Sequence, residues 1–90
     1  MVPTSTLFAS AYALARSKFL AACTLADLEA TEHRHPLAGA EGEVLATDVV
    51  RVGPREASRL LVLTSGVHGV ELFAGSGCQI DWLLQASAAQ

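Results

Sequence analysis

A chain of 90 residues holds at most one small domain, and at that size the buried fraction of the surface is low. Hydrophobic residues make up 51% and charged residues 17%, less polar cover than a small independent domain needs, which points to neighbours over part of the apolar surface. The net charge of -3 comes from interspersed charges with no basic stripe, which excludes nucleic acid and an anionic membrane surface as expected partners.

Leu7 to Leu28 is rich in Ala and Leu, but Arg16 and Lys18 interrupt it and no stretch reaches the ~18 apolar residues of a membrane span. A soluble, cytoplasmic chain is therefore expected. Within it, Phe8, Tyr12, Ala15, Phe19, Ala22 and Ala26 recur at alternating intervals of four and three, which predicts a packing helix with these residues on one side. Ser5 or Thr6 can cap it, Arg16 and Lys18 lie off the apolar stripe, and Asp27, Glu29 and Glu32 mark a solvated end. Cys23 and Cys78 form no Cys-x-x-Cys pair, so a disulfide framework and a thiolate zinc site are both unsupported; they read as reduced, mostly buried thiols.

Two extended runs follow, Glu32 to Leu37 and Val44 to Val52, separated by Ala38-Gly39-Ala40-Glu41-Gly42, the pattern of a β-hairpin. Pro36 places the first run at a sheet edge, where His33 and His35 share a face as exposed surface residues rather than metal ligands. After the turn Gly53-Pro54-Arg55-Glu56, the unbroken apolar run Leu60 to Thr64 predicts a central strand covered on both faces, as in a parallel or mixed α/β sheet. Arg51, Arg55 and Arg59 are solvated turn and strand-end charges. A second helix is predicted over roughly 73–88, with Ile80, Leu83 and Leu84 apolar, Asp81 and Gln85 polar, and Trp82 ambiguous.

The loop between that strand and helix, Ser65-Gly66-Val67-His68-Gly69-Val70-Glu71, occupies the position where α/β sheets bind ligands. An imidazole and a carboxylate three residues apart can converge on one cation, and their nitrogen and oxygen donors suit Zn²⁺. By spacing alone, His68 and Glu71 fit equally well a loop hydrogen bond and a charge complementing the helix amino terminus.

The stretch Thr64 to Leu83, TSGVHGVELFAGSGCQIDWL, resembles an uncharacterised bacterial branch, domain of unknown function 2817, of the zinc carboxypeptidase superfamily, which also contains succinylglutamate desuccinylase and aspartoacylase. Ser10-Ala11-Tyr12, Ala15-Arg16, Lys18-Phe19-Leu20, Gly42-Glu43, Leu45-Ala46-Thr47-Asp48 and Gly53-Pro54 agree with it, so the similarity spans nearly the whole chain. The resemblance implies a zinc-carboxypeptidase-like mixed-sheet α/β fold, of which residues 1–90 are an amino-terminal part: helix, β-hairpin, buried strand, metal-ligand loop, helix. It implies His68 and Glu71 as two zinc ligands, with a later histidine and a late glutamate base that match nothing here, so no catalytic residue is assigned. Leu72 stands where that branch is expected to carry glycine.

The implied reaction is zinc-dependent hydrolysis of an amide bond in a small peptide or N-acyl amino acid, absent from this isolated chain for want of the third ligand and base. Two other readings remain open. One is a non-catalytic remnant or interaction module, and the other an α/β-hydrolase-type esterase segment with His68-Gly69 in an oxyanion loop. Against the latter, Ala74-Gly75-Ser76-Gly77-Cys78 is not Gly-x-Ser-x-Gly and Ser76 is expected inside a helix.

Overall fold

The computed structural model describes residues 4–66 and 72–88. A short 3-10 turn, Thr4–Leu7, leads into helix α1, Tyr12–Leu25; strands β1, Thr31–Arg34, and β2, Ala46–Val49, follow, and helix α2 spans Leu72–Ala88. The two strands pair antiparallel with Glu32 opposite Asp48 and Arg34 opposite Ala46. Two helices and a hairpin make a small α/β assembly, as expected from the sequence.

The helix begins later than its apolar stripe suggests. Phe8 precedes it, Ser5 and Thr6 sit in the 3-10 turn, and the N-cap is Ala11, which makes no side-chain cap. The exit of α1 is better specified. Asp27 takes φ 57, the amide of Asp27 donates to Thr24 O at 3.1 Å, and that of Leu28 donates to Cys23 O at 2.8 Å. This pair of bonds is a Schellman closure, which satisfies helix-end carbonyls and turns Leu28 back onto the core.

That core forms where α1 crosses α2. Ala22, Cys23, Ile80 and Leu83 are buried together with Leu7, while Phe19, Leu28, Leu84, Val50 and Val52 pack around them. Small residues on α1 let the helices approach closely, and Gly77 leaves α2 room for the ring of Phe8 lying against it. Cys78, expected to be mostly buried, is exposed instead; only Cys23 faces inward, since Ile80 and Leu83 occupy the inner side of α2.

The predicted central strand is not formed. Leu60 to Thr64 has no strand partner among the described residues, and Leu60, Leu61 and Val62 are 76%, 75% and 68% exposed. Its continuous hydrophobicity suits a strand between two neighbours, but a strand exists only through ladder bonds, and the one sheet described here is β1 with β2. The hairpin, in contrast, closes on itself. The amide of His35 donates to Leu45 O at 2.8 Å and that of Gly39 to Glu43 O at 2.8 Å, while Gly42 takes φ 79 in the turn.

Candidate functional site

A cleft of about 160 Å³ lies between α1, β2 and the start of α2. Tyr12, Ala15, Arg16 and Phe19 line it from α1, Ala46, Thr47 and Asp48 from β2, and Ser65, Gly66, Leu72, Ser76 and Gln79 from the segment before α2 and the helix itself. Period-four spacing on α1 pairs Tyr12 with Arg16 and Ala15 with Phe19, and period-two spacing on β2 turns Ala46 and Asp48 to the same side while Thr47 between them is exposed. The loop edge is pinned by Gln79: Ser65 Oγ donates to Gln79 Oε1 at 2.7 Å, and Gln79 Nε2 donates to Leu63 O at 2.9 Å. Gly66 takes φ 73, a left-handed turn that favours glycine, and Gly75 leaves space for Ser65 to approach α2.

Two polar attachments fasten α1 to the hairpin. Tyr12 OH donates to Ala46 O at 3.0 Å and accepts from the Ala46 amide at 2.9 Å, closing part of the outer edge of β2. Arg16 Nε donates to Asp48 Oδ2 at 2.8 Å, and its Nη2 donates to Asp48 Oδ1 at 3.0 Å and Glu32 Oε2 at 2.5 Å. Register places Glu32 and Asp48 directly opposite each other, an arrangement that repels unless a cation joins it. Arg16 is that cation. The sequence reading missed it by setting Arg16 aside as off the stripe.

The same contacts set the electrostatics. Hydrogen bonds to Asp48 and then Glu32 raise the already high pKa of Arg16, so it stays charged throughout. The Arg16 hydrogen bond, followed by the charge of Arg34, holds Glu32 below its ordinary value of 4.5. Burial pushes the Cys23 thiol above its ordinary 9.0, and the charge of Asp48 adds to the shift. Glu32, with its depressed value, contributes stability above pH 4.5 that is lost as pH falls through its folded pKa. Cys23, with its raised value, contributes stability below pH 9.0 that is lost as pH rises through its folded pKa. Urea midpoints across pH are expected to plateau between about pH 5 and about pH 8 and to fall on both sides; a Cys23→Ala chain should lose the alkaline fall. A steady rise in stability beyond pH 9.0 would contradict the Cys23 assignment.

His68 and Glu71, together with Gly69, lie outside the described residues, between cleft residues Gly66 and Leu72. His33 and His35 are exposed, as are Arg51, Arg55 and Arg59, and none of the five lines this cleft. Ser76 sits inside α2, away from any strand-to-helix elbow. The donor types His68 and Glu71 suit zinc in kind, but not yet in number. Among the described residues no group of three His, Cys, Asp or Glu could hold a metal, and Asp48, the carboxylate in the cleft, spends both oxygens on Arg16. No helix among the described residues is long and apolar enough to cross a membrane.

A family profile described as protein of unknown function (DUF2817) matches residues 8–90. No curated protein and no solved structure matches the chain.

Proposed function

The chain belongs to the DUF2817 family, and on that premise we propose that it carries the first metal-binding segment of a zinc-dependent amide hydrolase of the carboxypeptidase type. In this reading His68 and Glu71 are two zinc ligands. The observation that supports it concerns their neighbours in the chain: Ser65 and Gly66 before them and Leu72 after them all line the cleft between α1, β2 and α2. Ser65, held by Gln79, fixes where the loop leaves, and Leu72 fixes where the helix resumes.

The chemistry such a zinc supplies is polarisation of an amide carbonyl and acidification of water. The chain's own residues contribute binding and orientation. A cleft of about 160 Å³ is smaller than the ~300 Å³ at which whole-ligand pockets begin, so it suits one side chain or acyl group of a small peptide or N-acyl amino acid. Ala15, Phe19 and Leu72 offer apolar contact there, and Ser76 offers a hydroxyl.

Two protein ligands are one short of a catalytic zinc site, so the chain should bind Zn²⁺ weakly and turn over no amide substrate. In equilibrium dialysis, His68→Ala and Glu71→Gln should each weaken Zn²⁺ binding by about tenfold or more, while the double change His33→Ala, His35→Ala leaves it unaltered. Zinc retained without His68 and Glu71 but lost without His33 and His35 would overturn the ligand assignment. Robust zinc-dependent hydrolysis of a peptide or N-acyl amino acid by residues 1–90 would overturn the expectation of inactivity.

A further inference from the structure

We propose that Gln79 is a positioning residue for the zinc ligands: it ties the chain just before His68 to the helix that follows Glu71. The inference deepens the zinc reading of His68 and Glu71 and rests on it. Leu72, Ser76 and Gln79 recur at helical spacing on α2 and all line the cleft, so Gln79 stands about two turns beyond the start of that helix on the cleft side.

Both ends of its amide are engaged, and both on one short stretch. Gln79 Oε1 accepts from Ser65 Oγ at 2.7 Å, while Gln79 Nε2 donates to Leu63 O at 2.9 Å. Leu63 and Ser65 are two residues apart, so one side chain fixes that stretch at two points and sets its direction as well as its place. An amide can do this because it carries an acceptor and a donor side by side, which an ionised carboxylate or an ammonium does not. Gln85, further along the same helix, donates instead to Asp81 Oδ2 within α2.

Packing agrees with the bonds. Gly75, one turn before Gln79, lies against Ser65: a Cβ at Gly75 would meet the Cβ of Ser65 at 3.2 Å. A Cβ on Gly66 would stand 3.8 Å from Leu72 Cβ, so the last described residue before the ligand pair and the first one after it are near neighbours. Two ligands hold one cation only when they converge, and converging loses less entropy when the chain on either side is already fixed. With its amide engaged by Ser65 and Leu63, Gln79 acts on zinc through the ligands and not as one of them.

Equilibrium dialysis of Zn²⁺ against the 90-residue chain and its variants tests this. Gln79→Leu, which removes both bonds, should weaken binding by about tenfold, the lower end of the usual effect of groups that orient metal ligands. Ser65→Ala removes one bond and should weaken binding less, and Gln85→Leu should leave it unaltered. A cycle with His68→Ala separates positioning from a general loss of structure. A single remaining ligand has no partner to converge with, so Gln79→Leu should change the residual binding of the His68→Ala chain by less than about twofold. Binding that falls equally with Gln79→Leu whether or not His68 is present would overturn the role of Gln79 and leave the ligand assignment standing. So would binding that His68→Ala weakens and Gln79→Leu does not. If His68→Ala itself changes nothing, the ligand assignment fails and this inference fails with it.

Discussion

Leu83→Ala is expected to lower the unfolding free energy by about 2–5 kcal/mol, the usual cost of removing a buried leucine and leaving a cavity. Leu83 is 1% exposed and sits with Ile80 against Ala22 and Cys23, at the crossing of α1 and α2. The neighbours there are small or already fixed by their own helix, so the gap cannot close by a side-chain rearrangement alone. Whole-chain stability at this length is about 5–13 kcal/mol by size scaling, and the open surface at Leu60 to Leu63 places this chain toward the lower end. A large fraction of the stability is thus expected to disappear. Urea denaturation followed by circular dichroism reads the loss, with Leu25→Ala as the control; that leucine is 76% exposed and should change stability by less than about 0.5 kcal/mol. Equal effects at the two positions would show that the helix crossing is not the core.

Arg16→Ala is the second large effect, expected to cost about 1–3 kcal/mol near neutral pH, because it strands a carboxylate that is mostly out of water. The side chain of Asp48 is 8% exposed and receives two hydrogen bonds from Arg16. Without the guanidinium, Asp48 faces Glu32 across the hairpin with nothing between the two charges. The damage should reach beyond one ion pair, since the same contact seats α1 on the hairpin beside Tyr12 and shapes the cleft wall. Its pH dependence separates charge from packing. As pH falls through the lowered pKa of Glu32, that carboxylate gains a proton and no longer needs the cation, so the variant should differ less from wild type at about pH 3 than at about pH 7. A deficit that is the same at both values would mean that Arg16 acts through the packing of its stem.

The candidate site was legible in unequal parts. His68 and Glu71 stand out from sequence because metal-donor chemistry, a preceding apolar run and flanking glycines occur within a few adjacent residues. The α1 and β2 wall of the cleft does not stand out. Tyr12, Arg16, Ala46 and Asp48 are scattered through the chain, and their shared cleft depends on how α1 lies across β2. Ser65, Gly66 and Leu72, the described residues nearest to His68 and Glu71 in the chain, line the cleft.

The sequence alone determined both helices and the hairpin, because each is encoded by signals only a few residues apart: the four-and-three spacing of α1, the apolar side of α2, and the glycines between β1 and β2. Tertiary structure decided the rest. Arg16 meets Asp48 across 32 residues and Glu32 across 16, through a register that no local pattern contains. The run Leu60 to Thr64 makes the same point in reverse: its residues are those of a buried strand, but burial comes from neighbours, and here the chain leaves that face open. Local spacing sets which conformation a segment favours; the partner it finds decides whether a charge is a surface ornament or a clamp, and whether an apolar run is core or open surface.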